Sequence, residues 1–121
     1  MPLLTLPRSA RIRKKTEIDR VYRQGRRLLD PLLRLYVAAG AAPSARIAVS
    51  VPRRIGGAVA RNRWKRLLKE SFRLMRPRLA PLDLLAVPNR PPAGVTRRDV
   101  EAVLDRLVRR AAIPPSRPAR R

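Results

Sequence analysis

Ile47-Ala48-Val49-Ser50-Val51-Pro52-Arg53-Arg54-Ile55-Gly56-Gly57-Ala58-Val59-Ala60-Arg61-Asn62-Arg63-Trp64-Lys65-Arg66 is the stretch from which the fold can be read. Its opening alternates: Ile47, Val49 and Val51 fall on one side of an extended chain, and Arg46, Ala48 and Ser50 on the other. Pro52 and the Gly56-Gly57 pair interrupt that pattern, so residues 52–58 form a loop. Beyond it the period changes from two to 3.6. Trp64, Leu67, Leu68, Ser71, Phe72 and Met75 stand at i, i+3, i+4, i+7, i+8 and i+11. That spacing is the buried stripe of a helix from about Val59 to Arg76, roughly 26 Å long, which Pro77 stops.

Working outward, Leu33, Leu35 and Val37 alternate with Arg34, Tyr36 and Ala38, and Gly40 to Ser44 makes a turn. Residues 33–38 and 46–51 therefore read as a hairpin with one aliphatic face. The other face holds Arg34, Tyr36, Ala38, Arg46, Ala48 and Ser50. It is too small and polar for a second core and reads as a groove. Arg26 to Leu29 can add a short extra strand. Before it, Thr16 offers an N-cap to a helix over Glu17–Gln24, with Asp19 at the capping-box position. Ile18, Val21 and Tyr22 form that helix's stripe and Gly25 ends it.

Downstream, a strand runs Asp83 to Val87 and a Pro-rich loop runs Pro88 to Gly94. A last helix is capped by Thr96 and Asp99, with Val100, Val103, Leu104, Leu107, Val108 and Ala111 buried. Residues 1–15 read as a basic extended arm, 16–112 as a single α/β domain, and 113–121 as a disordered Pro/Arg tail. The order is α-β-β-α-β-α, a two-layer α+β (α/β) sandwich with helices on one side of a mixed sheet. The strands flanking the long helix can pair in parallel.

Charge narrows the function. The 121 residues hold 30 Lys plus Arg against 8 Asp plus Glu, a net +22, with no His and no Cys. Disulfides, thiolate or imidazole metal sites, Ser-His triads and Cys nucleophiles are thereby excluded. Such an excess collects polyanions, and nucleic acid is the first of these. No apolar run reaches the roughly 20 residues of a membrane span, and the N-terminus lacks the pattern of a signal peptide. The expected setting is cytoplasmic.

Part of the charge is ordered on the long helix. Arg61, Asn62, Lys65, Arg66, Lys69, Arg73 and Arg76 share an arc of roughly 140° at 100° per residue, and Glu70 lies beyond it. A solvated helix face usually mixes signs; this one presents a cation at every turn, as a surface tracking phosphates would. Trp64 and Phe72 belong to the buried stripe and read as core.

From Lys14 to Ala112 the chain resembles the protein subunit of bacterial ribonuclease P, most densely over Ile47–Arg66 and again in Asp19-Arg20-Val21-Tyr22-Arg23-Gln24-Gly25. The resemblance implies a left-handed βαβ crossover, against the usual hand. It also implies a protein that assists an RNA enzyme in removing the 5′ leader of precursor tRNA. Catalysis would lie with the RNA and its magnesium, and no protein residue would be catalytic or bind a metal or cofactor. Arg53, Arg54, Arg61, Asn62, Arg63, Lys65, Arg66, Lys69 and Arg73 would contact the catalytic RNA. Ile18, Tyr22, Arg34, Tyr36, Ala48 and Ser50 would line the leader cleft, with Tyr22 and Tyr36 stacking on bases and Tyr36 the better placed. Ile18, Gly57 and Pro52 stand where the family commonly has an aromatic, Asn, and Ser or Thr, and the Arg after the third strand is displaced to Arg90. No further protein partner is required.

Three other readings fit parts of this pattern. A ribosomal or other structural RNA-binding protein explains the charge and size but not a groove bearing a tyrosine. A DNA-binding protein would need a helix-turn-helix or a dimer surface, and neither is evident. A protein nuclease lacks His and has few acids. Glu17 and Asp19, the acids nearest the cleft, suit a helix start better than a metal.

Overall fold

The computed structural model describes residues 6–112. The strands are β1 (Arg26–Leu29), β2 (Leu33–Ala39), β3 (Arg46–Val49) and β4 (Leu82–Pro88), and the helices are α1 (Lys15–Gln24), α2 (Ala58–Met75) and α3 (Arg97–Ala111). They form one four-stranded sheet in the order β1-β2-β4-β3. The extra strand at Arg26–Leu29 is real and makes the hairpin, pairing antiparallel with β2. The hairpin expected between β2 and β3 does not form. β4 lies between them, antiparallel to β2 and parallel to β3. Alternation told which way each side chain faces but not which strand is the neighbour.

On one face Leu33, Leu35, Val37, Ile47, Leu84 and Ala86 pack against Trp64, Leu68, Phe72 and Met75 of α2 and Val100, Leu104 and Leu107 of α3. The 3.6-period stripes thus meet the period-2 aliphatic face, as the sequence predicts. Thr96 and Asp99 form the expected capping box of α3. Hydrogen bonding from Thr96, its backbone amide first, holds the Asp99 carboxyl below its usual range.

The opposite face departs from expectation. α1 lies across it, so only α2 and α3 share a side. Val21, Tyr36, Ala38, Ala48, Leu85 and Val87 make a second small core with Ile12, edged by Ile18. The small side chains of Ala38 and Ala48 let a helix come close, which is why this face is covered and not open. α1 begins at Lys15 with Lys14 as N-cap and no side-chain cap, so Thr16 is inside the helix and not its cap. Gly25 ends it without a left-handed turn. Its amide bonds the Val21 carbonyl at 2.8 Å, and any Cβ there would collide with that oxygen.

The stretch before α1 belongs to the domain. Leu6, Ala10 and Ile12 are buried, and the Ile12 amide donates to the Ile47 carbonyl at 2.9 Å. It thereby occupies the edge of β3, which would otherwise be unpaired. From Leu6 onward, the stretch expected to be an extended arm is therefore part of the folded domain. Residues 1–5 and the expected tail at 113–121 lie outside the described residues. Among the described residues no helix is long and apolar enough to cross a membrane.

Candidate nucleic-acid interface

Two surfaces carry the residues singled out above. The first is α2 and the loop before it. Ile55, buried, anchors a 3-10 turn over Arg53–Ile55 that leaves Arg53 and Arg54 exposed. Gly56 then takes φ 149°, a region that side chains avoid, before α2 starts. Along α2, Asn62, Arg63, Lys65 and Arg66 are exposed, while Arg61, Lys69 and Arg73 are half-buried.

Not all of these are free. Arg63 donates to the Val95 carbonyl at 3.0 Å, and Trp64 Nε1 to the Arg90 carbonyl at 2.7 Å. Arg54 donates to the Asn89 carbonyl at 3.3 Å. These bonds fasten the β4–α3 loop to α2 and to the turn before it, so Arg63 is partly a structural residue. The Nε atoms of Arg61 and Arg73 are buried without a hydrogen-bond partner, which leaves each guanidinium with unused donors.

The structure adds two cations that sequence reading left in the arm. Arg11 and Arg13, with Leu6 and Ile12, face Lys65 and Lys69 across a cleft of about 290 Å³ floored by Ile47, Ala48 and Val49. Burial first, then Arg11 and Lys65, lower the pKa of Lys69. A site where cations repel one another is one that an incoming phosphate relieves. The signal for Arg11 was its place beside the apolar Ala10 and Ile12, which anchor it. It is weak in an arm this basic.

The second surface is the part of the α1 face that the helix leaves uncovered. Tyr22 is 57% exposed, and its ring lies 5.0 Å from that of Tyr36, tilted by 48°. Tyr36 itself is only 5% exposed. The expectation that Tyr36 is the open platform is corrected here: it is the support beneath Tyr22, because α1 covers it. Ala48 is buried too, and Ile18 is half-buried at the rim. Pairing places Leu29 opposite Arg34, and Arg34 opposite Val87. Ser50, exposed, bonds its amide to the Ala86 carbonyl at 3.0 Å. The uncovered strip is therefore Leu29, Arg34 and Ser50, with Tyr22 above it. Leu29 is an exposed apolar residue that sequence reading missed. Pairing Arg26–Leu29 with the next strand would have placed it there.

Beneath α1, Arg46 bonds Asp83 through Nε at 3.1 Å and through Nη2 at 2.9 Å, and also reaches Glu17 at 3.2 Å. Its pKa is raised, first by the hydrogen bond to Asp83. Arg20 of α1 pairs with the same carboxylate. Arg46 is thus not part of an open groove, and Glu17 is a partner for arginine within the helix's first turn.

A family model described as Ribonuclease P matches residues 6–112. The chain is 33% identical over 103 residues to the ribonuclease P protein component of an Exiguobacterium species, covering 85% of this chain and 90% of that protein. It is 36% identical over 115 residues to that of Xanthomonas campestris, covering 94% and 77%. In fold it is similar to the RNase P protein of Staphylococcus aureus, with TM-score 0.75, 23% identity, and 85% and 95% of the two chains covered. The Thermotoga maritima RNase P protein gives TM-score 0.72 at 22% identity, covering 82% and 96%. The family match over residues 6–112 and the identity to these relatives over most of both chains show that the chain belongs to the ribonuclease P protein family, as the protein subunit of that endoribonuclease.

Proposed function

We propose that the protein serves ribonuclease P with two separate surfaces. The cation row of α2, joined by Arg53, Arg54, Arg11 and Arg13, holds the catalytic RNA through its phosphates. The strip between α1 and the sheet receives the single-stranded 5′ leader of precursor tRNA. There Tyr22 offers a face for a base, Leu29 an apolar floor, and Arg34 a charge for the backbone. The observation that carries this division is Tyr22, a tyrosine 57% exposed yet braced on a buried one. A surface aromatic held this firmly loses little freedom when a base stacks on it.

In this reading phosphodiester hydrolysis belongs to the RNA and its magnesium. The protein's own carboxylates suit a different task. Asp83 is wrapped by Arg20 and Arg46, Glu17 by Arg46, and Asp30 pairs with Arg106. No step is assigned to them. A cytoplasmic setting, with the RNA and its substrate, is part of the same proposal.

The test is reconstitution with a bacterial ribonuclease P RNA at low magnesium, comparing cleavage of precursor tRNA with a normal and a shortened leader. The protein should stimulate cleavage, and more so with the leader present. No stimulation at any protein concentration would refute the reading.

A further inference from the structure

α1 is tied to the sheet by charge as well as by packing. Asp83, at the start of β4, is fully buried among the described residues. Its carboxylate accepts from Arg20 of α1, from both arms of Arg46 of β3, and from the Ala41 amide at 3.3 Å. Arg46 in turn reaches Glu17, at 3.2 Å. Glu17 and Arg20 are one helical turn apart, so α1 is held at two points to one end of the sheet. The pairing Arg46↔Asp83 sets these two side chains abreast on the α1 face.

The apolar contact of α1 is small. Tyr36, Leu85 and Val87 are the larger side chains of the sheet in it, and Ala38 and Ala48 beside them offer few ridges to fix the helix's roll or height. A buried ion cluster is a costly way to gain stability, and its best use is to select one arrangement. Tyr22 stands two residues beyond Arg20 on the same helix.

We propose that Asp83, acting through Arg20 and Arg46, is a positioning residue for substrate recognition, setting the height and roll of α1 so that Tyr22 presents its ring to the leader. This rests on the leader reading given above.

The substitution Asp83→Asn separates positioning from charge. It makes the protein more positive, so electrostatics alone would tighten binding of every RNA. Loosening α1 has the opposite sign for one substrate only. In the assembled holoenzyme, the preference for leader-bearing over leaderless tRNA should fall about fivefold, the loss of one base–aromatic stack of about 1 kcal/mol. Asp83 has no exposed surface, so this loss cannot come from a direct contact. Affinity for the ribonuclease P RNA should not fall.

Should Asp83→Asn fail to fold, Arg20→Met cuts one of the two ties of α1 while Arg46 still satisfies Asp83. It should lower the same preference and speed amide exchange in 17–24 but not in α2 or α3. Tyr22→Ala is run beside it. If Tyr22→Ala lowers the preference and Arg20→Met leaves both preference and exchange unchanged, the positioning role is overturned. If Tyr22→Ala itself leaves the preference unchanged, the leader reading fails, and this inference with it.

Discussion

Lys69 shows what a binding surface costs a free protein. Burial and the nearby Arg11 and Lys65 hold its pKa below the usual lysine value. The unfolded chain then binds that proton more tightly than the folded one. The charged lysine therefore opposes folding at neutral pH, and its penalty fades as pH rises toward the ordinary lysine range. Lys69→Met should raise the melting temperature of the free protein. It should also weaken binding to the ribonuclease P RNA and reduce the log–log salt slope by about 1. Thermal melts and a salt titration of RNA binding check both halves. Tyr36 makes the contrary case: it is buried, and it supports rather than contacts. Tyr36→Ala should cost about 3 kcal/mol of stability by opening a cavity under α1. Urea unfolding followed by fluorescence of the sole Trp, Trp64, measures this, whereas Tyr36→Phe should leave both stability and leader preference nearly intact.

Among the elements, α1 and α2 were both legible as helices, but the face on which α1 packs was not, for a physical reason. The stripe of α2 is aliphatic and aromatic at one strict period, so its inward face announces itself. Toward α1 the strands β2 and β3 turn Ala, Tyr and Arg, which read as solvated, and only Leu85 and Val87 of β4 make that face aliphatic. What makes it buriable is Asp83, 63 residues from Arg20 in the chain. No local window contains both. The strand order was hidden in the same way, since β4 enters between strands already made. Gly57, read as a departure from the family pattern, now has a local meaning. It is the N-cap of α2 with no side-chain cap, extended at φ −75°, and a Cβ there meets nothing within 4 Å. Gly57→Asn should supply the missing acceptor and stabilise the protein by about 0.5 kcal/mol, visible as a higher urea midpoint. At the start of α3 the sign of a pH effect follows from Asp99. Its carboxyl is held low by Thr96, so the stabilisation is present above the ordinary carboxylate pKa. It is lost as pH falls through the lowered value. Amide exchange at the first turn of α3 should rise in that window, and Asp99→Asn should remove the dependence.

Over the whole molecule, seven of the eight acids are already engaged, Glu70 of α2 being the other. Glu17, Asp19, Asp30, Asp83, Glu101 and Asp105 are each paired with Arg or Lys, and Asp99 completes a cap. The cations of α2 and of the cleft beside it are left facing outward with little opposing charge. If about six phosphates are neutralised there, binding to duplex RNA should weaken with salt at a log–log slope of about −5. A slope near zero would show that the row does not track phosphates.

The position of β4 bears on how the protein is born. It is buried along its whole length, at the centre of the sheet, yet it is the last strand to leave the ribosome. Until Pro88 has emerged, β3 has no strand beside it and β2 has only β1, while a long run of arginines is already exposed. The sheet of the nascent chain therefore cannot close until β4 has been made and has left the ribosome. A released fragment ending at Pro81 should show no protected sheet, and one ending after α3 should fold.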